Sequence, residues 1–484
     1  DLEIADLIIV AGQNPGTNHP RMLATLEKAK RGGARIVAIN PLPEAGLMRF
    51  KDPQQVGGVI GKGTSLTDDF LQIRLGGDMA LFRGIARLML DAERAAPGTV
   101  FDRQFLDEHC GGVDDYLALL DDLDFDDVLS ATGLTFAQIE DLAGALMASK
   151  RTVLCWAMGW TQHRHSVATI GEGTNVLLLR GMIGKPGAGL CPVRGHSNVQ
   201  GDRTMGIFEK MPESFLGALD KEFGINSPRE HGYDTVQAIR AMGRGQVRVF
   251  IAMGGNFVSA APDTELTADA LRRCALTVHI STKLNESHTV TGRAALILPT
   301  LGRTDRDMTG GTKQLVSVED SMSVVHLSRG SLPPASPELH SEVAIVADLA
   351  VAVFGDDHPV DWAQMRDDYD VIRERISRVI PGFEDFNTRV RRSDGFVLPH
   401  PPRDNRTFAT TTGLANFTVE PLDWVRIPEG RLILQTLRSH DQYNTTIYGH
   451  DDRYRGIKGN RRGVMVNQDD IAAFGLRTGQ HVDI

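Results

Sequence analysis

The run Leu7-Ile8-Ile9-Val10, the turn Gly12-Gln13-Asn14-Pro15-Gly16 and the run Ala34-Arg35-Ile36-Val37-Ala38-Ile39 decide the fold. Both runs are short and apolar throughout, the pattern of strands buried on both faces of a parallel sheet. Between them, residues 21–30 read as a helix that Gly32-Gly33 stops. Strand, loop, helix and strand make a βαβ unit, whose crossover is right-handed.

Outward from this unit, the glycine-rich residues 51–68 read as an irregular insertion, and helices dominate to residue 150. Residues 135–149 place Phe136, Ile139, Leu142, Ala143, Leu146 and Met147 at helical spacing, and Thr135 with Gln138 forms a capping box. A third strand at 152–156 leads to a helix at 168–182 and a glycine-rich stretch at 184–201. The alternation then resumes, with strands at 247–252, 276–280 and 294–299 and helices near 263–273, 341–354 and 361–379.

A polar, glycine-rich loop therefore follows a strand twice, at Gly12-Gln13-Asn14-Pro15 and at Gly254-Gly255-Asn256-Phe257. Open parallel sheets bind ligands at these carboxyl ends. The expected class is α/β: two doubly wound Rossmann-like units with mostly parallel sheets, over residues 1–200 and 201–400. Residues 393–430 read as a linker or crossover. Residues 431–436 and 463–466 read as strands, so that 401–484 is the truncated start of a β-barrel-like domain.

Composition narrows the function. The 484 residues carry 52 Lys and Arg against 62 Asp and Glu, a net charge of −10, which argues against nucleic acid as the main partner. No apolar run approaches the roughly 20 residues of a membrane-spanning helix. The four cysteines, Cys110, Cys155, Cys191 and Cys274, are scattered singly. They have neither the spacing of a metal site nor the density of a disulfide framework, so they read as buried or incidental in a reducing, cytoplasmic compartment. With no initiator Met, and an ending at Val482-Asp483-Ile484, the chain reads as a piece of a longer polypeptide.

Three loops carry candidate chemistry. In Gly12 to Asn18 the glycines let backbone approach a phosphate and the following helix start favours an anion. The same loop is also compatible with a plain βα turn, and it lacks Gly-x-Gly-x-x-Gly, the ordinary NAD fingerprint. Gly76-Gly77-Asp78 heads a helix, where Asp78 is either a cap or an acceptor for a guanine edge. Residues 184–203 gather glycines, a proline pair, Arg194 and His196 into a composition suited to a ligand-lining loop or a polar crossover. Arg194 has the geometry to hold a carboxylate in bidentate fashion. Residues 436–446 are dense in hydroxyls, amides and charge, as a solvated loop or a ligand clasp would be. Gly449-His450-Asp451-Asp452 is too weak a pattern for a metal, and no metal ligand is assigned.

Four stretches carry a resemblance. Gly12-Gln13-Asn14-Pro15-Gly16-Thr17-Asn18-His19-Pro20, Met158-Gly159-Trp160-Thr161-Gln162-His163, Pro192-Val193-Arg194-Gly195-His196-Ser197-Asn198-Val199-Gln200-Gly201 and Arg438-Ser439-His440-Asp441-Gln442-Tyr443-Asn444-Thr445-Thr446-Ile447-Tyr448 resemble the molybdopterin oxidoreductases of the formate dehydrogenase alpha-subunit type. The nearest likeness is to the formate dehydrogenase-like subgroup linked to acid resistance in bacteria. The resemblance runs over essentially the whole chain. It implies molybdenum or tungsten between two molybdopterin guanine dinucleotides, acting on formate or a similar small substrate and passing electrons to an acceptor protein or subunit.

By the same resemblance, Gly12, Asn14, Asn40, Pro41, Gly77 and Asp78 line one dinucleotide, with Asp78 on the guanine. Gly254, Asn256, Lys283 and Asn285 hold the other. Thr436, Arg438, Ser439, His440, Gln442, Asn444 and Thr445 clasp the pterins. Arg194, with His196, is the catalytic assignment. Asn40-Pro41-Leu42-Pro43 stands where many relatives have Asp-Pro-Arg, and His196-Ser197 replaces the commoner Gln-Asn. In the family, the metal's protein ligand and any iron–sulfur cluster ligands lie outside the span of this chain, which alone is expected to be inactive. Two other classes compete: a non-catalytic scaffold or electron-relay subunit of the same fold, and an NAD-dependent dehydrogenase, against which the missing fingerprint counts.

Overall fold

The computed structural model describes all residues except Asp356, Asp441, Asn444 and Thr446. Its first sheet contains β1 (Leu7–Ala11), β2 (Arg35–Ile39), β3 (Asp69–Leu71), β4 (Thr152–Trp156) and β5 (Gly189–Pro192). All neighbours pair in parallel, in the spatial order β3-β2-β1-β4-β5. The winding reverses between β1 and β4, which makes that crevice the switch point of the sheet.

Successive residues of a strand point to opposite faces. Leu7, Ile9, Val37, Ile39 and Leu154 therefore enter one core, and Ile8, Val10, Ile36, Ala38 and Val153 the other. Helix α1 (Met22–Arg31) covers the second face through Leu23, Leu26 and Ala29. The first face is covered by α2 (Asp78–Ala95), α3 (Phe136–Ala148) and α4 (Ser166–Leu179). The expected capping box opens α3, with Thr135 and Gln138 each accepting the other's backbone N–H. Strand β5 was not anticipated: four residues between glycine and proline show no alternation, and pairing with β4 alone makes them a strand.

The second parallel sheet has β6 (Val249–Met253), β7 (Leu276–Ser281) and β8 (Ala294–Pro299) in the order β8-β7-β6. On one side α5 (Thr235–Gly243) and α6 (Thr264–Arg272) pack through Ile239, Met242 and Leu271. On the other, Ile345 of α7 (Glu342–Phe354) meets Val278 and Ile280. The single helix expected over 361–379 is two, Trp362–Asp367 and Tyr369–Val379. Asp368 between them is extended, and its carboxylate caps the second by accepting the Asp370 N–H. An unanticipated antiparallel sheet joins β9 (Val316–Glu319), β10 (Val324–Ser328) and β11 (Phe396–Val397).

The crossover segment returns to the first unit. Ala415–Asn416 pairs with Cys110–Gly111, Phe417 enters the first core, and the Asn175 amide donates to the Thr418 carbonyl over 2.9 Å. The strands expected at 431–436 and 463–466 do not form among the described residues, where pairing is limited to Gln442–Tyr443 with Ile447–Tyr448 and the antiparallel bridge of Asp452 with Ile457, and no barrel closes. Leu432 and Leu434 are 53% and 59% exposed. A strand with no ladder partner leaves its backbone groups better satisfied by water than by strand geometry.

Candidate functional site

At the switch point two loops meet backbone to backbone. Gly12, at φ +58°, donates its N–H to the Ile39 carbonyl, and the Gly159 N–H donates to the Gly12 carbonyl, both over 3.0 Å. A Cβ on Gly159 would stand 2.4 Å from the Gly12 oxygen, and one on Gly12 2.9 Å from the Gly159 carbonyl carbon. Only glycine fits this approach. The next residue, Trp160, is buried, and its Nε1 donates to the Asp78 carboxylate over 2.9 Å. Burial raises Asp78 from 3.8 to about 6, opposed by the indole hydrogen bond and the charge of His163. Asp78 is the first residue of α2 and the acidic group of its first turn, at a helix start whose N-cap, Gly77, supplies no side-chain cap.

Asn14 caps the short helix Pro15–Asn18 by accepting the Thr17 N–H over 3.3 Å. Asn40 and Pro41 leave β2 beside this loop. The Asn40 amide donates to the Leu42 carbonyl over 2.8 Å, and the Pro41 carbonyl accepts from Gln72 over 3.0 Å. Gly12, Asn14, Gly77, Asp78, Asn40 and Pro41 thus share the carboxyl edge of the first sheet.

Strand β5 delivers Arg194 to the same edge, because the Val193 N–H donates to the Trp156 carbonyl over 2.8 Å. Arg194 and His196 are exposed. Farther along, Asn198 Oδ1 accepts the Glu319 N–H over 2.9 Å and Gln200 donates to Glu319 over 3.0 Å, fastening the loop to β9. His19 lies near the Arg194 backbone and within range of the Arg438 charge. Burial lowers its proton affinity, the Arg194 carbonyl opposes this, and the charge of Arg438 adds to it.

Arg438 Nη2 donates to Asn18 Oδ1 over 2.5 Å, which brings Arg438 to the first loop. The anchor is Arg455, which donates to the Arg438 carbonyl over 3.1 Å and pairs with Asp452 at 2.8 Å and Glu44 at 2.6 Å. Asp452, 1% exposed, also accepts the His440 N–H over 3.1 Å, so the His450-Asp451-Asp452 run organises a loop. The His440 ring lies 4.2 Å from that of Tyr454. Thr436 is exposed on the same stretch, Ser439, Gln442 and Thr445 are half-buried, and Asn444 lies outside the described residues.

The second loop forms its own group at the ends of β6 and β7. Gly254, at φ +65°, donates to the Ile280 carbonyl over 2.8 Å. The Asn285 amide donates to the Gly255 carbonyl, Ser287 Oγ donates to Asn256 Oδ1, and Ser281 Oγ donates to the Lys283 carbonyl, each over 2.7 Å. Gly254, Asn256, Lys283 and Asn285 are therefore neighbours. The His279 and His288 rings lie 4.9 Å apart beneath them.

Several buried polar atoms have no partner among the described residues: Gln13 Oε1, His19 Nε2 and His440 Nδ1 in the first group, His279 Nε2 and His288 Nε2 in the second. Such atoms are expensive in a finished interior and mark places where a ligand supplies the missing bond. Gln13 is 2% exposed, and its Nε2 lies 3.2 Å from both His19 Nδ1 and Met22 Sδ. The sequence reading singled out none of Gln13, His19, Trp160 or Glu44 as site residues. The first three lie within quoted stretches; Glu44 carried no local signal. Among the described residues, no group of three or more His, Cys, Asp or Glu is placed to hold a metal.

Comparison with known proteins gives the family. The Molybdopterin oxidoreductase family model matches residues 1–307. An uncharacterized oxidoreductase of Mycobacterium tuberculosis (strain ATCC 25618 / H37Rv) is 67% identical over 100% of this chain and 62% of its own length. Formate dehydrogenase H of Escherichia coli (strain K12) is 26% identical over 55% of this chain and 35% of its own. The structure of acetylene hydratase from Pelobacter acetylenicus shares the fold with a TM-score of 0.53 at 15% identity, covering 76% of this chain and 50% of that one. The chain spans less than two thirds of the length of each. With the family model matching well over half of its residues, the chain belongs to the molybdopterin oxidoreductase family.

Proposed function

We propose that the protein to which this chain belongs oxidises formate, or a similar small substrate, by two electrons at molybdenum or tungsten held between two molybdopterin guanine dinucleotides. Family membership supports an oxidoreductase with a molybdenum- or tungsten-molybdopterin cofactor; the dinucleotide form and the substrate are our finer reading. The observation that carries it is the delivery of Arg194 by β5 to the edge that also holds the Gly12 loop, His19 and Arg438.

The residues present suit such a group. Close-packed glycines leave no side chain between the Gly12 loop backbone and an approaching pyrophosphate, and the partnerless Gln13 Oε1, His19 Nε2 and His440 Nδ1 offer bonds to a heteroatom-rich pterin. In this reading Gly12, Asn14, Asn40, Pro41, Gly77 and Asp78, in a domain over 1–200, hold one dinucleotide. Gly254, Asn256, Lys283 and Asn285, in a domain over 201–400, hold the other. Thr436, Arg438, Ser439, His440, Gln442 and Thr445, in the region 401–484, clasp the pterins, as does Asn444. The bound metal centre supplies the two-electron acceptor. Arg194 binds and orients the substrate carboxylate, and His196, two residues on, takes the proton released. Electrons leave to an acceptor protein or subunit, with any iron–sulfur cluster bound by residues outside this chain. We place the protein in the cytoplasm; no helix among the described residues is long and apolar enough to cross a membrane.

The test uses full-length protein purified without air, with metal analysis, release of the oxidised pterin and a formate–dye assay. Metal, pterin dinucleotide and formate turnover are expected together, and Arg194→Ala is expected to raise KM for formate roughly 30-fold or more with metal content unchanged. Metal with formate inert discards the substrate. No metal and no pterin, from a host that matures related enzymes, discards the catalytic reading in favour of a scaffold.

A further inference from the structure

Cys155 and Cys191 are far apart in sequence but are opposite partners in the parallel register of β4 and β5. Adjacent strands lie about 4.8 Å apart, inside the roughly 4.4–6.8 Å Cα window of a disulfide. Both side chains face the same side of the sheet: Cys155 belongs to the core around Ile8, Val10 and Ala38, and Cys191 packs against that core. Both are free thiols, Cys155 buried and Cys191 half-buried. Each thiol acts on the other: the neighbouring Cys155 thiol holds Cys191 below the ordinary thiol value although burial opposes this, and Cys155 itself is pushed up. Cys191 sits at the edge of the sheet, three residues before Arg194.

We propose that Cys155 and Cys191 are a peroxide-reactive dithiol whose oxidation to a disulfide draws β5 onto β4 and displaces the Arg194 loop. The more accessible Cys191 thiolate attacks one peroxide oxygen, giving a sulfenic acid and one water after protonation. The Cys155 sulfur then displaces the sulfenic hydroxyl, forming the S–S bond and releasing a second water. Two sulfurs are oxidised by one electron each, and the two peroxide oxygens are reduced by the same number. Parallel partners hold their Cβ atoms at about the strand spacing of 4.8 Å, beyond the roughly 3.8 Å mean Cβ separation of a disulfide, so closing the bond pulls in the edge strand and, with Cys191, the end that leads into Arg194. The bond itself is independent of the proposed function; its effect on turnover rests on the assignment of Arg194.

The experiment treats reduced full-length holoenzyme with hydrogen peroxide, blocks remaining thiols and maps peptides by mass spectrometry beside the formate–dye assay. A Cys155–Cys191 cross-linked peptide is expected, lost on dithiothreitol treatment, with KM for formate raised at least fivefold in the oxidised form and restored on reduction. Cys155→Ala is expected to keep the reduced enzyme's turnover, lose the response and leave Cys191 trappable as a sulfenic acid by dimedone. If that variant misfolds, Cys191→Ser serves, with the same loss of response. Both cysteines recovered unlinked, or linked with KM unchanged, overturns the proposal. A reduced enzyme inert to formate but yielding the cross-link refutes the proposed substrate and supports the dithiol assignment.

Discussion

The Trp160 indole N–H donates to the Asp78 carboxylate over 2.9 Å, tying the residue after one switch-point loop to the first residue of α2. One hydrogen bond only partly offsets the burial of this charge, so Asp78 titrates at about 6 and not at 3.8. Because the folded value is the higher, the native state binds more protons than the unfolded chain between those pH values. Stability contributed by Asp78 is therefore greatest below about pH 4 and declines as pH rises through 6. Asp78→Asn keeps an acceptor for Trp160 and removes the charge. We expect it to stabilise the protein by up to roughly 3 kcal/mol at pH 7 and by almost nothing at pH 4, read from denaturant midpoints. A difference independent of pH refutes this account. If Asp78 also reads guanine, the same variant carries less dinucleotide.

Gly159→Ala places a Cβ 2.4 Å from the Gly12 carbonyl oxygen, against backbone that cannot rotate away. A loss of roughly 1–3 kcal/mol is expected, with a lower pterin content in purified protein. Gly144→Ala, in α3 with nothing within 4 Å, is the control and should gain up to about 1 kcal/mol. Equal effects of the two substitutions on thermal stability argue against a close-packed switch point.

The interior of the first unit holds a buried ion pair. Arg83 and Glu172 form an ion pair with side chains 2% and 1% exposed; Tyr116 donates to Glu172 over 2.9 Å and Arg83 donates to the Glu420 carbonyl over 2.7 Å. Glu172→Ala leaves the guanidinium buried without its counter-ion, and a loss of roughly 3–5 kcal/mol follows. Since Arg83 also holds residue 420, the variant should expose the crossover to protease. A loss below about 1 kcal/mol shows that water replaces the carboxylate.

Arg455 is the fastening of the 436–446 stretch. Its pairs with Glu44 and Asp452 are nearly sequestered from solvent, and its other donor meets the Arg438 carbonyl. Arg455→Ala should speed proteolytic cleavage between 430 and 466 about tenfold or more while leaving the first sheet intact. Unchanged cleavage means that other contacts hold this segment.

Much of the candidate site was legible because it lies in loops of unusual composition at strand ends. The Gly12 and Gly254 loops occupy the expected positions, since a strand followed by glycine and an amide is a local pattern. Strand β5 escaped notice inside one of those loops, and the strands read at 431–436 and 463–466 do not form. In each case the outcome lay with a pairing partner, present for β5 and lacking for the other two, and no local periodicity reports on a partner.

By itself, the sequence determined the α/β alternation, the capping box at Thr135, the two glycine loops and the family resemblance. These features depend on side-chain period and glycine's conformational freedom, both of which act over a few residues. Only the tertiary structure set Cys155 opposite Cys191, Trp160 against Asp78 and Arg455 onto Glu44, the last pair 411 residues apart. Such contacts are chosen by sheet order and by the path of the crossover, through the requirement that every buried charge and backbone group find a partner.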